Sequence, residues 1–113
     1  MNENNFSEIF KNLSDPNRIT IIKFLTKGEV CANDILTLLS VTQPTLSHHM
    51  KILTEANIVS ARKSGKNTYY SLNTQIAFDI TEFIGNIFNL SDYIEVNRNQ
   101  NKSRQRELPS HLL

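Results

Sequence analysis

At 113 residues the chain has the length of one small domain, and 39% apolar content suffices for a compact core, although a domain this small buries only a limited share of its surface. A formal net charge of +1 does not by itself point to nucleic acid, and a single cysteine, Cys31, excludes an intrachain disulfide framework and suits a reducing compartment. The first ten residues show no basic start followed by an apolar run, and nowhere is an apolar stretch long enough to cross a bilayer, so no membrane partner is expected and the expected compartment is the cytoplasm.

Phe6, Ile9, Phe10 and Leu13 recur at i, i+3, i+4 and i+7, one face of a first helix. Asp15-Pro16 then reads as the N-cap and first residue of a second helix, which Gly28 ends. From Cys31 to Leu39 a third helix follows, with Ile35, Leu38 and Leu39 at helical spacing, Cys31 at the N-cap and Asp34 at the positive end of the dipole.

Ser40, Val41 and Thr42 leave only a short connection to the most informative segment, Thr42 to Leu53, TQPTLSHHMKIL. Thr42 can cap its first turn, where Pro44 loses little by lacking an N–H, so this helix begins near Gln43. Leu46, Met50 and Leu53 form a buried stripe, and His49 leans toward it as a packing residue. Opposite lie Pro44, His48 and Lys51, flanked by Thr45 and Ser47. Short hydroxyl and imidazole groups can approach base edges, and Lys51 can reach a phosphate. Two helices crossing through a tight turn, the second with a polar, cationic outer face, make a helix-turn-helix.

Ile58 to Lys63 and Asn67 to Leu72 are rich in β-branched and aromatic residues, and Ser64-Gly65 between them reads as a hairpin turn. Arg62, Lys63 and Lys66 are expected together at the tip of this ribbon, a wing that can reach backbone or minor groove beside the helix. From Thr42 to Leu72 four basic residues face one acid, Glu55, a formal +3, so positive charge concentrates where double-stranded DNA would sit. Thr74 to Leu90 carries two apolar stripes, Ile76, Ile80, Phe83, Ile84 and Ile87 on one side and Phe78, Thr81, Gly85 and Phe88 on another. Two stripes imply two buried faces, one on the chain's own core and one on a second subunit. Residues 1–90 are thus expected to form the DNA-binding and dimerisation domain. Residues 91–113 are polar, with Arg98, Lys102, Arg104 and Arg106, and read as a flexible tail or a source of nonspecific DNA affinity.

In LSDPNRITIIKFL (Leu13 to Leu25), TQPTLSHHMKIL and IVSARKSGKNTYYSL (Ile58 to Leu72), the chain resembles the bacterial ArsR/SmtB winged-helix repressors, over roughly Phe6 to Phe88. The resemblance implies a homodimer that binds an imperfect palindrome at a promoter and is released by a metal ion or other signal. By position it implies base contacts from Gln43, Thr45, Ser47 and His48 and wing contacts from Arg62 and Lys66. One metal site of the family places two cysteines one residue apart; here Cys31 matches the first, and Asn33 replaces the second. Another uses acidic and histidine ligands in the last helix, where residues 74–90 hold no histidine.

No metal site, no cofactor and no enzymatic activity are therefore expected. His48 and His49 are adjacent and share no helix face, and the glycines are too dispersed for a phosphate loop. A thiol at a helix N-terminus leaves Cys31 as a candidate redox site. The reading is a mainly α, dimeric winged helix-turn-helix with a β-hairpin wing, a repressor whose inducer is unknown. A divergent metal- or redox-responsive repressor and a winged-helix protein-interaction module remain as alternatives.

Overall fold

The computed structural model describes residues 1–90 and Asp92; the expected C-terminal tail otherwise lies outside the described residues. The chain divides into two compact units, Met1–Phe78 and a second from Asp79 onward.

Helix α1 (Glu3–Asn12) starts at a capping box in which Asn2 and Asn5 satisfy each other's backbone N–H groups. Phe6 and Ile9 are buried, whereas Phe10, expected on the same stripe, is 54% exposed and stacks its ring on Phe6 at 4.9 Å. Helix α2 (Pro16–Leu25) begins as expected at Asp15, whose carboxylate accepts the Asn17 N–H at 2.7 Å. It ends at Thr26, two residues before Gly28, whose φ of +130° lets the chain turn where a β-carbon would be strained.

Strand β1 (Val30–Cys31) has no counterpart among the predicted elements. Two residues are too few to show a period, and the strand exists because a later one offers it an edge. Helix α3 (Ala32–Leu39) follows at once, with Cys31 as N-cap and no side-chain cap hydrogen bond. Ile35 is fully buried, but Leu38 is exposed. Ser40, in left-handed conformation at φ 53°, closes α3 and turns the chain into helix α4 (Gln43–Glu55). Strands β2 (Val59–Ser64) and β3 (Asn67–Leu72) then form an antiparallel ribbon, and the sheet order is β1-β3-β2. Helix α5 (Thr74–Ile87) follows.

The wing's direction is fixed where α4 ends. Asn57 is left-handed at φ 60°, its N–H donates to the Thr54 carbonyl, and the Ile58 N–H donates to the Leu53 carbonyl. This is a Schellman motif, and its usual apolar pair is present, since Leu53 and Ile58 are both core residues. Asparagine tolerates this conformation, which costs most other residues about 1–2 kcal/mol. Asn73 ties the same corner from the other side: its side-chain amide donates to the Asn57 carbonyl at 2.8 Å, and its N–H donates to the Ile58 carbonyl at 2.9 Å. Its side-chain oxygen accepts the Gln75 N–H in the first turn of α5. One residue therefore links the end of α4, the base of the wing and the start of α5.

The core of the first unit gathers Phe6, Ile9, Ile21, Leu25, Ile35, Leu46, Met50, Leu53, Ile58 and Val59. At the end of α5, Asn89 is left-handed and the Leu90 N–H donates to the Gly85 carbonyl, a second Schellman closure. The helix therefore stops at Ile87 rather than Leu90. Gly85 of the second stripe is buried, while Ile87 of the first stripe and Phe88 of the second are exposed.

Candidate nucleic-acid interface

Helix α4 presents two chemically distinct faces. Leu46, His49, Met50 and Leu53 are buried; Gln43, Pro44, Thr45, Ser47, His48 and Lys51 are exposed. The Thr42 hydroxyl accepts the Thr45 N–H and donates to the Thr45 hydroxyl at 2.8 Å, so the cap also orients one residue of the exposed face. Ser47 and His48 project beyond that cap, and Lys51 lies one turn further on.

His49 turns inward and meets Arg18, whose guanidinium lies 3.3 Å from Nδ1. A guanidinium has only donors, so in this hydrogen bond Nδ1 is the accepting atom. Arg18 Nε also donates to the Asn12 carbonyl at the end of α1. A single side chain from α2 thus joins the end of α1 to the buried face of α4. Beside it, desolvation of Asp15 is outweighed by the backbone N–H groups of Asn17 and Arg18 and by the His49 and Arg18 charges, so its carboxyl lies below the ordinary range. Arg18 was not legible as a positioning residue, because its partners lie on other helices.

The wing differs from expectation at its tip. Ser64 pairs with Asn67, so the turn residues are Gly65 and Lys66 rather than Ser64 and Gly65. Gly65, at φ 61°, takes the first central position, where a type II′ hairpin turn favours glycine. Lys66 therefore stands at the apex, and Lys63, opposite Thr68, is close to it.

Arg62 is set apart from both. Alternation along β2 places it on the opposite face from Lys63, together with its cross-strand partner Tyr69 and, one strand further, Cys31. Its guanidinium carbon lies 4.7 Å from the Tyr69 ring centroid, a cation–π contact. Arg62 also makes a two-pronged ion pair with Glu29, Nε to Oε2 at 3.1 Å and Nη2 to Oε1 at 2.7 Å. The hydrogen bond and charge of Arg62 hold the Glu29 carboxyl below its usual range, and Glu29 raises the guanidinium in turn. The three wing cations thus form no single cluster: Lys63 and Lys66 stand near the tip, and Arg62 stands lower, paired with an acid from outside the ribbon.

Among the described residues no group of three or more His, Cys, Asp or Glu side chains could hold a metal ion, and no helix is long and apolar enough to cross a membrane.

A tight α3–α4 turn, an exposed polar face on α4 and a β2–β3 ribbon after it define a winged helix-turn-helix regulator. The family model for bacterial regulatory proteins of the arsR family matches residues 15–61, from the N-cap of α2 into the first strand of the wing. The arsenical resistance operon repressor of Staphylococcus aureus is 44% identical over 92 residues, 81% of this chain and 88% of that protein. The transcriptional repressor SdpR of Bacillus subtilis (strain 168) is 36% identical over 86 residues, 76% of this chain and 96% of the relative. The crystal structure of the transcriptional repressor BigR from Xylella fastidiosa superposes with a TM-score of 0.61 at 29% identity, covering 75% of this chain and 87% of that one. The chain belongs to the arsR family of DNA-binding transcriptional regulators.

Proposed function

We propose that the protein is a homodimeric repressor that binds a palindromic promoter operator, with α4 in the major groove and the wing alongside. The observation that carries this reading is the exposed face of α4, where Gln43, Thr45, Ser47 and His48 offer short polar groups to base edges and Lys51 offers a charge to the backbone. Arg62, Lys63 and Lys66 serve as sequence-independent phosphate contacts. Repression accords with the S. aureus and B. subtilis relatives, both named repressors. A second copy accords with the exposed Phe10 of α1 and the exposed Ile87, Phe88 and Leu90 at the end of α5, large apolar groups that association would cover. Residues 1–90 form the binding and dimerisation domain in this reading, which has no catalytic role and works in the cytoplasm. Selection of bound sequences from random duplex DNA should return an inverted repeat with half-sites about one helical turn, or a multiple, apart. A monomer on one asymmetric site would overturn the dimer, and failure to enrich any sequence would favour a protein-interaction module.

The inducer proposed for this chain is not a thiophilic metal, even though several relatives are named for arsenical resistance. Cys31 is the only thiol of the chain, Asn33 cannot act as a thiolate, and residues 74–90 offer no imidazole. Cys31 caps α3 without a side-chain hydrogen bond, a position that serine fills at least as well. Cys31→Ser should therefore bind operator like the parent, and As(III), Cd(II) or Zn(II) at low micromolar concentration should release neither protein. Release of the parent alone by one of these ions would establish a metal site shared between subunits. Release by an oxidant alone, lost in Cys31→Ser, would identify a thiol switch.

A further inference from the structure

We infer that Glu29 is an intramolecular competitor for DNA: its carboxylate occupies the Arg62 guanidinium in the free protein and must give it up when a backbone phosphate takes that place. The inference rests on the reading of Arg62 as a wing phosphate contact and adds an acidic residue from outside the wing as the group that sets its strength. Three observations carry it. Glu29 presents two oxygens to Nε and Nη2 at 3.1 and 2.7 Å, the forked geometry that a phosphate offers to the same donors. Both side chains are accessible, 56% for Arg62 and 38% for Glu29, so the pair is screened by water and an incoming anion can reach it. Tyr69, directly across the ribbon, lies under the guanidinium at 4.7 Å and keeps the fork aimed when one anion replaces another.

The energetics favour exchange. An exposed ion pair contributes little, whereas a phosphate contact releases condensed counterions from the duplex, a gain that the intramolecular pair cannot match. Glu29 is held below the usual carboxylate range and is therefore ionised at neutral pH, so the competition operates under the conditions in which the repressor works. Glu29 touches no DNA in this scheme; it is a positioning residue that acts through Arg62. Its effect is to lower the charge that the wing shows to passing DNA, leaving Lys63 and Lys66 as the uncompensated cations.

The test uses the full chain and sequence-random duplex DNA, because a phosphate contact does not depend on base identity. Glu29→Gln should bind about three- to fivefold tighter than the parent, the fold-change that an exposed pair of this kind can supply, and should keep the parental salt slope. Arg62→Ala should weaken binding and lower the salt slope by about 0.9 unit for each phosphate that the guanidinium neutralises. The decisive measurement is the double variant, in which the gain from Glu29→Gln should vanish. A gain of equal size in the Arg62→Ala background would reduce the effect to net charge and overturn the competition. Weaker binding by Glu29→Gln, parallel to Arg62→Ala, would show that the pair is a scaffold for the wing and overturn it equally. Arg62→Ala with parental affinity and slope would instead remove Arg62 from the DNA contacts, a failure of the underlying reading that is distinct from the other two.

Discussion

Replacing Leu53 with alanine is expected to lower the free energy of unfolding by about 2–5 kcal/mol, the range for emptying a fully buried leucine site in which the surroundings collapse only in part. Leu53 is fully buried in the last turn of α4, and its carbonyl receives the Ile58 N–H that closes the helix. The cavity would therefore open where α4, the Schellman turn and the wing base converge. Leu38→Ala is the matched control: the same chemistry on α3, at a side chain that is 44% exposed, should cost about 1 kcal/mol or less. Denaturant titrations at one fixed protein concentration compare the two, since association would otherwise shift the midpoints. Equal losses at both positions would mean that the core is not centred on the inner face of α4.

The same contrast shows what the sequence could and could not disclose. The stripe Leu46, Met50 and Leu53 is buried as the period requires, and α4 begins at Gln43 with Thr42 as its cap. These features are local: an apolar repeat, a hydroxyl and a proline suffice to place them. Phe10 and Leu38 also fell on apolar stripes, yet both are exposed, because a period identifies a face without saying what covers it. The ends of α4 and α5 were legible in principle, since Asn57-Ile58 and Asn89-Leu90 each place an asparagine and an apolar residue where a Schellman turn uses them.

What escaped the sequence is non-local. Strand β1 is two residues held by the edge of β3, with Val30 opposite Tyr70 and Cys31 opposite Tyr69. The Arg62–Glu29 pair joins residues 33 apart in the chain, and Arg18 reaches His49 from 31 residues away. The charge tally over residues 42–72 could count Arg62 but not the acid that neutralises it. The wing is therefore less uniformly positive than that tally implies. The one-residue shift of the hairpin turn has a simpler cause: a two-residue turn can use Gly65 first or second, and only the pairing of Ser64 with Asn67 decides that Lys66 rather than Ser64 shares it.

The division of labour across the proposed DNA interface leads to the largest expected effect on binding. Lys51, Lys63 and Lys66 are exposed cations on the outer face of α4 and near the wing tip, point charges suited to phosphate contacts. Replacing all three with alanine should lower the magnitude of the salt slope by up to about three units per subunit and weaken binding about a hundredfold or more at physiological ionic strength, equally for operator and unrelated DNA. Ser47→Ala and His48→Ala should behave in the opposite way. Each removes a short polar group from the exposed face of α4, so the salt slope should hold while discrimination at one or two base pairs of each half-site falls by about 1–3 kcal/mol. Binding isotherms over a salt series, paired with selection from random duplexes for each variant, separate the two behaviours. An unchanged consensus in both helix variants would remove base reading from this face of α4, whereas a changed consensus in the lysine variant would show that at least one of these cations reaches a base edge.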